Sequence, residues 1–285
     1  MNFKTASKYI VEELNTIYSE RESQNIAYLI LEDITKLNST ERLVAIAQEL
    51  TPHQIHSFEN YLHQLKQHKP IQQILGYTWF SGNIFFVNEH VLIPRPETEE
   101  LVELIVNENK NESLNILDIG TGSGCIAISL KNKLPNSIIS AIDVCSFALQ
   151  VAHQNAEHLS TSIHLKQINF LNEDNWDALE TYDIIVSNPP YIKQSEQVEM
   201  HQNVLQHEPH LSLFVPDNDA LLFYKKIALF AQTHLKKDGK IYVEINETLG
   251  RETAEVFSTK GYQTQIIKDM QGKERMIKAW ETCII

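Results

Sequence analysis

The 285-residue chain is longer than a typical single domain, which predicts one large domain and a smaller one, and with 42% hydrophobic residues it can bury a sizeable core. No apolar run approaches the ~18 residues that a membrane span needs, so the expectation is a cytoplasmic protein with no membrane partner. A net charge of -13 opposes the Lys and Arg surplus that a nucleic-acid backbone requires, which argues against direct nucleic-acid binding and favours basic or neutral partners.

Residues 1–10 carry two lysines without a continuous apolar stretch or a small-residue cleavage site, so they do not read as a signal peptide. Up to residue 69 the apolar side chains recur at helical spacing, as in Ile26, Leu29, Ile30 and Ile34, or Leu43, Ile46, Ala47 and Leu50. This predicts a helical bundle over 1–69, with helix starts at Ser39-Thr40-Glu41 and Thr51-Pro52. Over 70–95 the pattern turns aromatic and β-branched around Ser81-Gly82-Asn83, which predicts a β-hairpin connector. From Pro96, with Glu97, Glu99 and Glu100 suited to a helix N-terminus, strands and helices alternate to residue 285. Candidate strands span 115–120, 138–143, 163–168, 182–188 and 240–245, and two more, 263–268 and 275–280, follow at the end. Runs such as Ile184-Ile185-Val186 suit strands covered on both faces. The predicted fold is therefore α/β, a mostly parallel, doubly wound sheet with an antiparallel edge.

The first of these strands ends in Asp118-Ile119-Gly120-Thr121-Gly122-Ser123-Gly124 and runs into a helix, where glycines let a ligand approach the backbone. Such a turn also serves as a plain strand-to-helix connection. Asp143 tips the balance, because it closes the next strand and can accept both ribose hydroxyls of an adenosine. A dinucleotide site wants a glycine where this chain has Cys125. S-adenosylmethionine has no phosphate and carries an ammonium and a sulfonium against one carboxylate, so acidic strand ends suit it. Cys125 reads as a small packing residue. Cys125, Cys145 and Cys283 are odd in number and widely spaced, which fits reduced thiols better than disulfides or a zinc site. Among twelve histidines, the pairs His53 with His56 and His207 with His210 lack a second spaced ligand set, so no metal is expected.

The strand over 182–188 delivers Asn188-Pro189-Pro190-Tyr191 to the carboxyl edge of the sheet, where ligands bind in such folds. An amide or aromatic amino nitrogen is a poor nucleophile because its lone pair is delocalised. Catalysis at such a nitrogen needs acceptors that hold its N–H bonds and aim it at the methyl group. Asn188 offers a side-chain oxygen, Pro189 a carbonyl on a stiffened backbone, and Tyr191 a flat face for a planar group. The segment also reads as a rigid loop, but its place beside the glycine turn favours catalysis.

With these motifs the chain closely resembles the glutamine N5-methyltransferases of peptide chain release factors, the PrmC/HemK family, over nearly its whole length. The most specific parts are Pro70-Ile71-Gln72-Gln73-Ile74-Leu75-Gly76, Val91-Leu92-Ile93-Pro94-Arg95-Pro96-Glu97-Thr98-Glu99, the glycine turn, Asn188 to Tyr191, and Lys268-Asp269-Met270-Gln271-Gly272-Lys273-Glu274-Arg275. The resemblance implies a Rossmann-like class I methyltransferase fold with Gly120, Thr121, Gly122, Ser123, Gly124, Asp143 and Asn188 at S-adenosylmethionine and Phe170 against its adenine. It implies that Asn188, Pro189, Pro190 and Tyr191 bind the substrate amide and that Arg95 to Thr98 border the active site. The implied substrate is the glutamine of a Gly-Gly-Gln tripeptide in release factors, gripped by the helical domain of a monomeric enzyme. Two positions depart from the family: Asn169, often acidic, and Leu249, often glutamine. A ribosomal-protein glutamine, a nucleic-acid adenine, and non-catalytic cofactor binding remain alternatives.

Overall fold

The computed structural model describes residues 1–110 and 112–281; Cys283 lies outside the described residues. Contacts divide the chain into two compact units, residues 1–76 with 201–207, and residues 77–200 with 208–285.

In the first unit, helices α1 (Phe3–Leu14), α2 (Glu20–Thr35), α3 (Ser39–Val44), α4 (Pro52–Lys66) and α5 (Ile71–Leu75) surround a core that includes Phe3, Ile10, Leu14, Ile26, Ile30, Phe58 and Leu65. The starts are chemically defined. Thr51 accepts from the Gln54 amide while Gln54 returns a bond to Thr51, with Pro52 in the first turn, and Asn38 with Glu41 makes the same reciprocal cap on α3. The spacing of Leu43, Ile46, Ala47 and Leu50 predicts a helix face that does not form. The helix ends at Val44, and Leu43 and Val44 are 70% and 85% exposed. The cause is tertiary. Leu50 N donates to Met1 O and Phe3 N to Gln48 O, so the chain after α3 is drawn into an extended bridge with the N-terminus. Arg42 is buried there instead, its guanidinium 4.2 Å from the centre of the Tyr28 ring.

The second unit begins with a hairpin, β1 (Tyr77–Phe80) and β2 (Asn83–Phe86). It continues through α6 (Pro96–Glu108), β3 (Asn115–Ile119), α7 (Cys125–Lys133), β4 (Ile138–Asp143), α8 (Ser146–His158), β5 (His164–Gln167) and β6 (Tyr182–Ser187). A small pair, β7 (Ile192–Lys193) and β8 (Phe214–Val215), follows β6. Between its strands lies α9 (Gln202–His207), which folds with the first unit: His207 O accepts from Gln73 Nε2 at 2.8 Å. The chain closes with α10 (Leu222–His234), β9 (Leu235–Glu244), α11 (Gly250–Ser258), β10 (Tyr262–Lys268) and β11 (Glu274–Glu281).

The seven-stranded sheet runs β10-β11-β9-β6-β3-β4-β5, with β9, β6, β3, β4 and β5 parallel and β11 antiparallel to both neighbours. Alternation along each strand divides the core in two. Ile116, Ile139, Ile184, Val186 and Tyr242 pack with Leu101, Ile105, Ile126 and Leu130 of α6 and α7. Leu117, Ile142, Ile185, Ile241 and Val243 pack with Tyr224, Ile227, Phe230 and Phe257 of α10 and α11. Burying both faces is why these strands read as continuous apolar runs. Strand order reverses between β3 and β6, and in open parallel sheets the crevice beyond the carboxyl ends of such strands is where ligands bind.

Candidate active site

A cavity of about 360 Å³ lies over the carboxyl ends of β3, β4, β5 and β6, within the range of small-ligand sites. The loop after β3 forms its floor. Gly120, Gly122 and Gly124 have φ of 75°, 54° and 80°, the left-handed region that L side chains rarely adopt, so this backbone path requires glycine. The loop is tied to the next strand: Gly120 N and Thr121 N both donate to Ile142 O, and Gly122 N donates to Asp143 Oδ2 at 2.9 Å. Asp143 Oδ1 accepts from Cys145 N, also at 2.9 Å. Burial pushes the Asp143 carboxyl above its ordinary value, against the pull of these amides.

Asp118 lies beneath the loop, fully buried at the end of β3. Its Oδ2 accepts from Thr121 Oγ1 at 2.7 Å, while Oδ1 has no well-aligned donor. Burial raises its pKa to about 7; the Thr121 bond opposes the rise and the Asp143 charge adds to it. The buried Ser123 hydroxyl stands at the cavity wall beside the Cys125 thiol. Burial pushes the Cys125 thiol up to about 12, which leaves it an inert packing group.

Ser187 Oγ donates to Ile119 O at 2.7 Å, locking the end of β6 to the end of β3. The chain therefore leaves β6 as Asn188-Pro189-Pro190 directly into the cavity wall. Asn188 Nδ2 donates to Thr98 Oγ1 at 3.1 Å, and Thr98 Oγ1 donates to Glu244 Oε2 at 2.7 Å. Glu244 is buried at the end of β9, and burial raises its carboxyl to about 7 against the pull of the Thr98 bond. On the side of α6, the buried Glu208 carboxylate accepts from Ile93 N at 3.1 Å and from Arg95 at 2.5 Å. This pair holds the Ile93-to-Pro96 stretch, of which Pro94 and Arg95 reach the cavity.

Of the residues singled out from the sequence, the cavity wall includes Gly120, Thr121, Gly122, Ser123, Asp143, Phe170, Asn188, Pro189 and Pro190. Gly124 and Tyr191 are not on it. Gly124 turns the loop into α7, where an added Cβ would lie 3.0 Å from Ile128 and 3.1 Å from Ala152. Tyr191 packs half-buried against the Leu117 and Ile119 cluster, and burial first and Glu244 second push its hydroxyl above the ordinary tyrosine range. Phe170 lies 5.6 Å from Trp176 at a 31° tilt and meets Phe230 edge-on at 5.4 Å, so its ring is held at the wall. Asn169 also lines the cavity, but its Oδ1 accepts from Leu171 N at 3.2 Å, so the amide oxygen that replaces a carboxylate is engaged in its own turn. Leu249 sits just before α11, where the close approach is made by Gly250 against Glu274. Thr98, Glu208 and Glu244 carry more of the site than sequence reading assigned them. The only local signal for Glu244 was a carboxylate among apolar strand residues.

The cavity can hold a cationic adenosine-bearing ligand: it offers an acid at the end of β4 and an aromatic wall at Phe170, with the Asp118 carboxyl buried beneath its glycine floor. Fold and cavity together define a Rossmann-like, S-adenosylmethionine-dependent methyltransferase. A methyltransferase from Pyrococcus furiosus shares the fold, with a TM-score of 0.51 and 19% identity over 79% of this chain and 100% of that chain. Residues 97–211 match the methyltransferase small domain, and residues 5–76 match the PrmC N-terminal domain. Release factor glutamine methyltransferase of Flavobacterium psychrophilum is 46% identical over 98% of this chain and 99% of its own length; that of Bacteroides thetaiotaomicron is 41% identical over the same shares. The chain belongs to the release factor glutamine methyltransferase family.

Proposed function

We propose that the protein transfers a methyl group from S-adenosylmethionine to the side-chain amide nitrogen of the glutamine in the Gly-Gly-Gln motif of peptide chain release factors. The observation that carries this reading is the placement of Asn188, Pro189 and Pro190 in the same cavity wall as the glycine loop and Asp143. When bound, S-adenosylmethionine supplies a methyl group on a sulfonium, whose departure as a neutral thioether needs no acid. The residues then have one task, to orient a weak nucleophile. Asn188 Oδ1 and the Pro189 carbonyl would accept the two N–H bonds of the substrate amide, orienting its lone pair and stabilising the positive charge that develops on nitrogen until one of those protons is released to solvent. Gly120, Thr121, Gly122, Ser123 and Asp143, with Phe170 beside them on the cavity wall, would hold the donor, while Gly124 turns the loop into α7 and Tyr191 packs behind.

The helical unit grips the protein substrate, since every cofactor feature lies in the other unit. The enzyme acts in the cytoplasm as a monomer and does not bind nucleic acid directly, in keeping with its net charge of -13. No helix among the described residues is long and apolar enough to cross a membrane. Incubating a purified release factor with the protein and S-adenosylmethionine should add the mass of one CH2, a methyl group in place of an amide hydrogen, mapping to the Gly-Gly-Gln glutamine. Modification elsewhere, or of a ribosomal protein or nucleic acid instead, would overturn the assignment.

A further inference from the structure

Thr98, on the first turn of α6, and Glu244, the last residue of β9, are each 2% exposed, and both lie far in sequence from Asn188. Their bonds form one chain, from Asn188 Nδ2 to Thr98 Oγ1 at 3.1 Å and on from Thr98 Oγ1 to Glu244 Oε2 at 2.7 Å. Glu244 is itself anchored, because Tyr224, fully buried on α10, donates its hydroxyl to the Glu244 backbone carbonyl at 3.0 Å. No protein donor among the described residues reaches Asn188 Oδ1.

From this chain of bonds we infer that Thr98 and Glu244 are positioning residues that set which end of the Asn188 amide faces the substrate. The assignment rests on the methyl-transfer reading and deepens it. A primary amide has a donor end and an acceptor end of nearly equal shape, and only the acceptor end can hold a substrate N–H. If Asn188 turned its NH₂ into the cavity, it would meet a glutamine NH₂ donor to donor and misdirect the nucleophile. Above about pH 7, where Glu244 is ionised, the proton inventory excludes that arrangement. An ionised carboxylate has no proton to give, so the single hydroxyl proton of Thr98 goes to Glu244. The Thr98 oxygen then offers only lone pairs, and of the two ends of Asn188 only NH₂ can meet them. Oδ1 is left for the cavity that Asn188 lines. Burial of Thr98 and Glu244 strengthens the effect, because a flipped amide would set two acceptors against each other in a low-dielectric setting.

A staple that merely joined α6 to β9 would use the same two residues, so the test must separate orientation from stability. Single-turnover methylation of a release factor with saturating S-adenosylmethionine at pH 8 is measured for wild type, Thr98→Val, Thr98→Ser and Glu244→Gln. Thr98→Val keeps the shape and removes the relay, and should slow the step about 10- to 100-fold, as expected for a misplaced catalytic group. Thr98→Ser restores the hydroxyl and should stay within about threefold of wild type. Glu244→Gln can donate as well as accept, so it no longer commits the Thr98 proton and should fall between them; it also serves if Thr98→Val folds poorly. Cofactor affinity by calorimetry should change less than about threefold in each. The decisive comparison is the double mutant: in an Asn188→Ala background Thr98→Val should cost less than about twofold more, because the group it positions is gone. In ¹⁵N-labelled wild type an Asn188 carboxamide proton, identified by its loss in Asn188→Ala, should exchange slowly with solvent, and Thr98→Val should abolish that protection. Wild-type turnover in Thr98→Val, or an equal loss in both backgrounds, overturns the assignment. A wild-type enzyme that does not methylate the release factor overturns the methyl-transfer reading and this assignment together.

Discussion

The backbone amide of Gly122 donates to Asp143 Oδ2 across 2.9 Å, joining the glycine loop after β3 to the end of β4. One carboxylate thereby serves two purposes. It fixes the loop, and it presents a charge to the cavity.

Replacing Asp143 should therefore damage cofactor binding more than a surface acid would. Asp143→Ala removes a charged acceptor from a partly desolvated site and frees the amides of Gly122 and Cys145. The expected loss is roughly 1 to 3 kcal/mol in S-adenosylmethionine affinity. Titration calorimetry reads this directly, and an unchanged dissociation constant in a folded variant would remove Asp143 from the binding site.

Asn188→Ala should leave the fold and cofactor affinity nearly intact, because the side chain lies on the cavity wall and, among the described residues, bonds only to Thr98. Turnover should fall about 100- to 1000-fold, the usual cost of one preorganised hydrogen bond in a transition state. Asn188→Asp keeps an acceptor for the substrate but sets a second acceptor against Thr98 Oγ1, so it should recover only part of the activity lost in Asn188→Ala. Single-turnover rates at saturating cofactor isolate the effect, and a wild-type rate in the alanine variant would disprove the proposed chemistry.

Glu208 and Arg95 predict a stability effect. Glu208→Ala leaves the Ile93 amide without its acceptor and Arg95 without its partner. Arg95 is about one-third exposed and can recover water, so the loss is nearer the cost of the unsatisfied amide, about 1 to 3 kcal/mol in urea unfolding. Because the same stretch brings Arg95 and Thr98 to the cavity, activity should decline as well. A variant as stable and active as wild type would mean that the pair is incidental.

The raised pKa of Asp118 gives stability a definite pH dependence. Burial lifts it from 3.8 to about 7, so between those values the folded protein holds a proton that the unfolded chain has released. Unfolding free energy from this group therefore falls as pH rises through the window and levels off above about 7. Asp118→Asn removes the titration. Urea midpoints at several pH values should show a shallower decline for the variant than for wild type, and parallel curves would refute the assignment.

Much of this was legible in the sequence because it depends on neighbours along the chain. The runs in β3, β4 and β6 reveal strands covered on both faces, since alternate residues such as Ile116 and Leu117 both meet apolar partners. The glycine turn is equally local, because positive φ at Gly120 and Gly122 is a demand of the backbone itself. Asn188 was legible for its residue type and its place after an apolar strand. What sequence could not supply was the company Asn188 keeps. Thr98 lies 90 residues away, Glu244 lies 146 from Thr98, and Glu208 lies 113 from Arg95. The apolar spacing after Leu43 misled for the same reason, since a backbone bridge to the N-terminus overrode it. Periodicity and turn chemistry are properties of a few consecutive residues, whereas the direction of one amide depends on which strand and helix ends the packed sheet brings together.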